Sequence, residues 1–554
     1  MEEIGGTGSS IEASKVMGAQ SELDMPIGAK YVVWTQFLLR FSLKGTQVVL
    51  VMYLFEHVGL SENLSAEMVH VYLTVVNVVP ILGAVLSDGY LGKYQTMFCS
   101  LLVEVTGMVI LVLGAVPNVD KGWRVIVASA SAVGLLVLAV GSGGVKPTIA
   151  ALGGDQVEVL VPEGAERDRL RSLFFSMWYL SLNLGSCLAT IAIPPLRTLG
   201  SYSLIFSVQT AVLGGCLVVF RLGRSHYVHR QVKENVFVKV GSIMFDALKI
   251  WTRKRARKWR AGDVHSPEVG EQEHILPDNE MVDNGRQDLN TVDFKYHWLD
   301  ETKLKHDASA VDDVKLLLRV LTLFTAMPFF WALFEQQYTK WVFQSNAMNL
   351  KVSWLGGLVM QPEQIQALNP LLVLIIIPAL EKAIYPFCRK CNIPLPPLRK
   401  MVIGMASTVL AFVASGVLQL AIDNNLKSDS SNQIGKVSVF WQVPQYFFIT
   451  LAEVLINVTG LEFAYSQAPA SMKSLLQASW QVSQGIGDFM TAVVIAIIGN
   501  RLSKANEFFL FAGGCAAALL WLVWISQGYE DVQREAPTPP DPLLAQAPYL
   551  GLVE

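Results

Sequence analysis

Twelve apolar stretches constrain the fold of this chain more than any other feature. Each is close to the roughly 20 residues that an α-helix needs to cross a bilayer. We therefore predict an all-α membrane protein with twelve transmembrane helices. The predicted spans are approximately 29–55, 68–86, 98–116, 125–150, 173–194 and 203–220, then 316–336, 365–384, 401–422, 439–461, 475–498 and 508–525.

The spans form two groups of six around a long polar linker. This layout is typical of a transporter with two halves and a central binding site. The predicted domains are an N-terminal tail (1–28), a first six-helix half (29–221), a basic linker (222–314), a second six-helix half (315–527) and a C-terminal tail (528–554).

Composition agrees with a membrane protein and excludes other classes. Only 16% of the residues are charged and 52% are hydrophobic, whereas a soluble domain has about 25% charged residues. The net charge of −3 gives no basic field for nucleic acid. Cys388 and Cys391 form a single CxxC without a second pair or a nearby histidine, so we predict no metal and no cofactor. The sequence also shows no arrangement of a nucleophile with a general base, so we do not predict an enzyme.

The linker predicts the orientation in the bilayer. Between Arg221 and Arg260 there are twelve Lys or Arg residues, and such clusters stay cytoplasmic, which places both termini inside. Apolar residues recur at helical spacing over 237–251, as in an amphipathic helix on the inner leaflet; a purely topogenic basic cluster is the alternative. Residues 261–291 are predicted to be disordered. Asn63 begins a glycosylation sequon on a predicted outer loop.

A lysine within a glycine-rich segment points to a solute pathway. Lys146 follows the apolar run 125–140 in the segment 141–147, Gly-Ser-Gly-Gly-Val-Lys-Pro. An uncompensated charge at the bilayer centre costs at least ~2.5 kcal/mol, so this lysine is expected to face a cavity or a partner. The glycines are not a phosphate-binding loop, because Val145 and Pro147 break that pattern.

The first span carries a polar face. Gln36, Arg40, Lys44 and Gln47 are spaced by four, four and three residues and share one side of a helix. The two cations need acids from other helices. Structural pairing, or an interfacial position for residues near helix ends such as Arg319, is the alternative to a functional role. The candidate acids are Glu104, Glu335, Glu381, Glu453, Glu462 and Asp488.

Five stretches resemble one known family. They are Pro-Ile-Leu-Gly-Ala-Val-Leu-Ser-Asp at 80–88, the block 141–156, 174–186, Phe-Trp-Ala-Leu-Phe-Glu-Gln-Gln at 330–337, and 459–469. On these segments the chain resembles the proton-dependent oligopeptide transporters of the major facilitator superfamily, in their animal branch. The resemblance implies the major facilitator fold, di- and tripeptide uptake by proton symport, the plasma membrane, and a chain that functions as a monomer.

The resemblance also implies roles for individual residues. Lys146, Tyr179 and Asn183 match substrate contacts of the first half, and Glu462 matches the acid that holds the amino terminus of a peptide. Trp331 and Asn369, with Trp480 as a looser candidate, match pocket positions of the second half. Arg40, His70 and Glu335 match positions for proton coupling or gating. Arg319 matches an arginine that pairs with an acid of the eighth span, here Glu381.

The first span departs from the family pattern. Members carry Glu-x-x-Glu-Arg-Phe there, whereas this chain has Gln36 and Leu39 in place of the glutamates and keeps Arg40. Glutamine cannot take up a proton as a carboxylate does. Glu104 and Asp488 are acids where the family has neutral residues. We predict a rebuilt network in which Lys44 pairs with a gained acid such as Glu104.

Three functional classes follow from these residues. The first is a proton-driven carrier of di- and tripeptides with alternating access between the halves. The second is a carrier of the same fold with altered or absent coupling, or with another zwitterionic or anionic solute. The third is a non-transporting sensor or scaffold, which would not need the pocket residues.

Overall fold

The computed structural model describes residues 24–116, 123–162, 164–199, 201–228, 236–261, 297–352, 356–428, 437–460, 463 and 473–527. Most of the predicted N-terminal tail, all of the predicted C-terminal tail, nearly all of the predicted disordered segment, and Glu462 lie outside these ranges. Within them, eleven helices are long and apolar enough to cross a membrane, and one bent pair completes the predicted set of twelve. The prediction of an all-α membrane protein is confirmed.

The spans alternate in direction along the chain. The first six are Ile27–His57, Glu62–Leu91, Lys93–Gly114, Val125–Leu160, Ala165–Leu199 and Tyr202–His226. The seventh is the bent pair Ala308–Phe324 and Met327–Asn346, and the last five are Pro362–Lys390, Pro397–Asn425, Val439–Asn457, Leu475–Ile498 and Lys504–Gln527. We call the end of the bundle nearest the linker the linker end and the opposite end the distal end.

Several spans change their winding along their length. Wider π-helical turns occupy Tyr53–His57, Ser87–Leu91, Leu380–Ile384 and Val454–Val458. Tighter 3-10 turns occupy Gly223–His226, Glu335–Tyr338, Pro362–Ala367 and Val439–Gln442. A short antiparallel pair of strands, Lys351–Val352 and Leu358–Val359, follows the seventh span at the distal end.

The seventh span begins earlier than the sequence predicted. Its first helix starts at Ala308, inside the predicted linker 222–314, because the Asp307 side chain caps it by accepting a hydrogen bond from Ser309 N at 3.4 Å. The helix then breaks, and its second part is rotated by 46°. Pro328 lies in the first turn of that second part, where a missing backbone N–H costs nothing.

The glycine block packs the fourth span tightly against the second and third. A Cβ atom on Gly144 would overlap Ser100 Oγ, and one on Gly143 would overlap Val79 Cγ1. One on Gly141 would lie 2.6 Å from Glu104 Cγ. The glycines therefore permit a close approach between helices, which brings Lys146 and Glu104 to neighbouring positions in the bundle.

The linker contains the predicted helix, which spans Val236–Ala261. Ile243 and Ala247 are buried where this helix packs on the 3-10 turn Trp298–Leu304. Asp246 accepts hydrogen bonds from His306 Nε2 at 3.0 Å and Lys305 Nζ at 3.4 Å, and mainly the first of these holds the pKa of Asp246 below its ordinary value. Large apolar side chains of the same helix remain exposed: Val238, Phe245, Leu248 and Trp251.

Candidate functional site

A cavity of about 80 Å³ lies between the two halves of the bundle. Ligand pockets commonly measure about 300–1,000 Å³, so this cavity is narrow in the conformation described. The first half contributes Gln36, Leu39, Arg40, Leu43, Glu104, Ser142, Val145, Lys146, Ile149 and Trp178, and the second half Trp331, Asn457, Gln477, Trp480, Gln481 and Gln484.

Five of the residues predicted from the sequence meet in this wall. Arg40, Glu104 and Lys146 come from three spans of the first half, and Trp331 and Trp480 come from two spans of the second. The rings of Trp331 and Trp480 meet nearly edge to face, with centroids 6.1 Å apart. The wall therefore combines two cations and an acid with flat aromatic surfaces.

Lys146 belongs to a chain of polar contacts that crosses from one half to the other. Its ammonium donates to Asn77 Oδ1 at 2.9 Å, and the Asn77 amide donates to Asp488 Oδ2 at 3.0 Å. The other oxygen of Asp488 lies 3.2 Å from His70 Nδ1, and His70 Nε2 lies 3.0 Å from Thr339 Oγ1. His70 and Asp488 are fully buried. The chain links the second and fourth spans to the seventh and eleventh.

Glu335 lies next to the cavity rather than in its lining. Its carboxylate accepts a hydrogen bond from Gln484 Nε2 at 2.7 Å, and Gln484 is part of the wall. Glu335 is thus connected to the cavity through the Gln484 amide of the eleventh span. A coupling role for Glu335 remains a prediction.

The predicted pair between Lys44 and Glu104 is wrong for this conformation. Lys44 Nζ lies 3.9 Å from the centroid of the Tyr338 ring, as in a cation–π contact. Neither carboxylate oxygen of Glu104 has a hydrogen-bond partner among the described residues, although the side chain is fully buried. The two side chains point into different gaps between helices, which sequence spacing does not determine.

The predicted pair between Arg319 and Glu381 is also absent. Glu381 lies in the π-helical turn of the eighth span, where its side chain is exposed. No ion pair joins it to any residue in the described ranges. Neither the π-helical turn nor the exposure of Glu381 can be read from the hydropathy pattern.

Three predicted substrate contacts lie away from the cavity lining. Tyr179 is buried, and the Asn183 amide donates to the Tyr179 backbone oxygen at 3.0 Å within their own helix. The Asn369 amide donates to Glu453 Oε2 at 2.7 Å, because the eighth and tenth spans pack together there. In this conformation these amides serve helix structure and helix packing.

The sequence analysis missed several wall residues. Trp178 directly precedes the predicted Tyr179, and its indole lines the cavity instead. Gln477, Gln481 and Gln484 are spaced by four and three residues on the same face as Trp480, a polar stripe that could have identified this side of the eleventh span. The indole N–H groups of Trp178 and Trp331 have no hydrogen-bond partner among the described residues, so both can donate to a solute.

Arg197 joins the halves at the distal end. Its guanidinium contacts Glu56 Oε2 at 3.1 Å in the first half. It also contacts Glu363 Oε1 at 3.0 Å and Gln361 Oε1 at 2.5 Å in the second. Glu363 is fully buried. A buried acid whose cation comes from the opposite half therefore stabilises the closure of this end.

A second distal cluster surrounds Lys340. Its ammonium donates to Asn63 Oδ1 at 2.7 Å and lies 2.8 Å from Glu507 Oε1. The Asn63 amide donates to Asn500 Oδ1 at 2.8 Å. Asn63, the residue of the predicted sequon, is therefore engaged between the halves. Among the described residues, the ion pairs Arg197–Glu363 and Lys504–Glu62 join the two halves at this end, so the distal end is closed.

Comparison with known proteins identifies the family. The POT family matches residues 94–510, which is most of the chain. Solute carrier family 15 member 2 of Danio rerio is 33% identical, and the alignment covers 88% of this chain and 88% of that protein. The chain belongs to the POT family.

Further similarities agree with a POT family membrane transporter rather than an enzyme. Solute carrier family 15 member 1 of Mus musculus is 32% identical over 72% of this chain, and the match covers only about half, 53%, of the mouse protein. The crystal structure of an auto-inhibited POT family peptide transporter has a TM-score of 0.72 and 24% identity, and it covers 93% of this chain and 99% of that one. That likeness shows that the fold is the major facilitator fold.

Proposed function

We propose that this POT family member is a secondary active transporter that takes up di- and tripeptides together with protons. The cavity between the halves carries the proposal. Lys146 and Arg40 supply positive charge for a peptide carboxylate, and the unpartnered indole N–H groups of Trp178 and Trp331 can donate to its carbonyl groups. The aromatic surfaces suit side chains of varied shape.

Alternating access is supported by the closed distal end and the narrow cavity between the halves. The distal end is held by Arg197 and Lys340 across the halves, and the cavity below it is too narrow for an ordinary ligand in this conformation. Transport therefore requires the halves to separate and these clusters to break and reform. The chain of polar contacts from Lys146 to Thr339 connects the cavity wall to helices of both halves, which would move relative to each other.

A second candidate is a peptide carrier without proton coupling. Gln36 and Leu39, which stand where the family has glutamates, both line the cavity. Neither side chain binds a transported proton. This observation favours a facilitator unless another carboxyl has taken over the task.

The test is uptake of a radiolabelled dipeptide into oocytes that express the full chain, with current recorded at mildly acidic and neutral outside pH. Saturable uptake with an inward current that grows at acidic pH is expected. Saturable uptake without current or pH dependence would support the facilitator instead. No uptake, with the protein at the surface, would contradict peptide transport and favour another solute or a sensor.

The membrane setting follows the same proposal. We place the transporter in the plasma membrane with both termini and the linker helix in the cytoplasm, which makes the distal end the outer end. One chain contains both walls of the cavity, so a monomer suffices for transport. Glu462 is proposed to hold the amino terminus of the peptide, and a Glu462→Gln variant that loses uptake would support this role.

A further inference from the structure

Glu104 is the one acid in the described lining of the central cavity. It lies in the middle of the third span, and its side chain is fully buried. Neither of its carboxylate oxygens has a hydrogen-bond partner among the described residues. A buried carboxylate without partners is costly when it is ionised. An acid in this position is therefore either protonated and neutral, or ionised close to a cation, or it changes between these two states.

The groups around Glu104 come from four helices. Lys146 of the fourth span interacts with it electrostatically, and Gly141 of that span lets the two helices approach closely. Arg40 of the first span shares the cavity wall. Tyr72 of the second span and Cys216 of the sixth also interact with its charge. Lys146 is the cation best placed to serve both Glu104 and an entering solute.

The other buried acids near the centre differ from Glu104. Asp488 accepts a hydrogen bond from the Asn77 amide and contacts His70 with its other oxygen. Glu335 accepts a hydrogen bond from Gln484. Their surroundings hold them in place, whereas the surroundings of Glu104 leave it able to change its protonation state without breaking a hydrogen bond.

We propose that Glu104 binds the transported proton, in place of the glutamates that the first span lacks. This inference rests on the proposed function. One proton adds to a carboxylate oxygen of Glu104 and forms an O–H bond, while Lys146 remains an ammonium throughout. A solute carboxylate that binds Lys146 offsets the positive charge that favours ionised Glu104, and the carboxylate of Glu104 then takes up the proton that travels with the solute. Release of the solute restores the influence of the Lys146 charge, and Glu104 gives the proton up.

The first arm of the test measures coupling. Glu104→Gln removes the proton site and keeps the size of the side chain, and Glu67→Gln is the matched control, because it makes the same change at an acid outside the cavity lining. We expect Glu104→Gln to lose the stimulation of dipeptide uptake by acidic pH and still exchange labelled for unlabelled dipeptide. Glu67→Gln should behave as the wild type. Acid-stimulated accumulation that persists in Glu104→Gln would overturn the proposal.

The second arm needs no substrate. Infrared difference spectra of the purified protein, recorded between mildly acidic and neutral pH, should show the carbonyl stretch of a protonated buried carboxyl. The band should be absent in Glu104→Gln, shifted in Glu104→Asp and unchanged in Glu67→Gln. A missing or non-titrating band would overturn the proposal even if Glu104→Gln folds poorly. A titrating Glu104 band in a protein that takes up no dipeptide would instead contradict the proposed function alone.

Discussion

A buried acid at the distal end has a charged partner, whereas a buried acid in the cavity wall has no hydrogen-bond partner among the described residues. At the distal end, fully buried Glu363 lies 3.0 Å from the Arg197 guanidinium of the other half. In the cavity wall, equally buried Glu104 has no hydrogen-bond partner among the described residues. Asp488 resembles Glu363, because His70 and Asn77 occupy both of its oxygens.

This comparison distinguishes acids that stabilise one conformation from an acid that can gain or lose a proton. An acid that is paired across the halves stabilises one arrangement of them, and the pair has to break when they move. An unpaired acid stabilises no arrangement, and its presence costs free energy that packing alone does not recover. Four predictions test this distinction, from the largest effect to the smallest.

The largest effect is expected for Arg197→Ala. Removing this guanidinium leaves Glu363 buried without its cation, which costs about 3–5 kcal/mol of the closed state. The cavity should then open toward the distal end. In a background without the six native cysteines, a membrane-impermeant thiol reagent applied outside should label a Ser142→Cys probe in the cavity much faster.

The control for Arg197→Ala is Lys504→Ala. Lys504 also joins the halves at the distal end, at 2.6 Å from Glu62, but both side chains are substantially exposed. Exposed pairs contribute about 0–1 kcal/mol, so labelling should change little. Equal acceleration by both variants would mean that burial of the acid does not decide how strongly this end is held.

Replacing Asp488 or Glu104 by an apolar residue should change the stability of the protein in opposite directions. Asp488→Leu strands the Asn77 amide and the His70 ring in a buried site, and leaving buried donors unsatisfied should lower the free energy of unfolding by roughly 2–3 kcal/mol. Glu104→Met removes an acid that has no hydrogen bond to lose and should leave stability unchanged or raised. Thermal melting of the detergent-solubilised variants compares them, and equal losses would remove the distinction between the two acids.

The sequence was sufficient for the spans and for much of the cavity, but not for the pairs between helices. Twelve helices follow from local hydropathy, and Lys146 stands out because a lone charge in an apolar segment needs a cavity. The position of Lys44 over Tyr338 depends on the rotation of two helices about their axes, and hydropathy does not fix that rotation. Similarly, the π-helical turn in which Glu381 lies exposed has no sequence signal of its own.

The close approach of the fourth span gives the third prediction. A Cβ on Gly144 would overlap Ser100 Oγ, whereas one on Gly214 would meet nothing within 4 Å. Gly144→Ala should therefore cost at least about 1 kcal/mol of stability and separate Glu104 from Lys146. Gly214→Ala, in the sixth span, should be neutral or slightly stabilising because alanine favours helix. Melting temperatures of the two variants test this, and equal values would mean that the glycines do not set the helix spacing.

The smallest effect is expected at the linker, where the acids are half-buried and paired. The hydrogen bond from His306 lowers the pKa of Asp246. At Asp300 partial burial opposes ionisation, but hydrogen bonds from Lys315 and the His297 backbone outweigh it and lower the pKa to about 2. An acid whose pKa is lower in the folded than in the unfolded state stabilises the fold at any pH above its unfolded pKa of ~3.9. This contribution is lost only as the pH falls through the folded pKa. The linker contacts of these acids should thus persist from neutral to mildly acidic pH.

Hydrogen–deuterium exchange of the helix Val236–Ala261, corrected for the intrinsic pH dependence of exchange, checks this expectation. Protection should be equal at neutral and mildly acidic pH, and Asp246→Asn should reduce it slightly at both, because the amide replaces a charged partner of His306 and Lys305. Protection that falls already at mildly acidic pH would place a pH-sensitive element in the linker. The acid stimulation of transport would then have a source other than Glu104, and the contrast between paired and unpaired acids would no longer explain it.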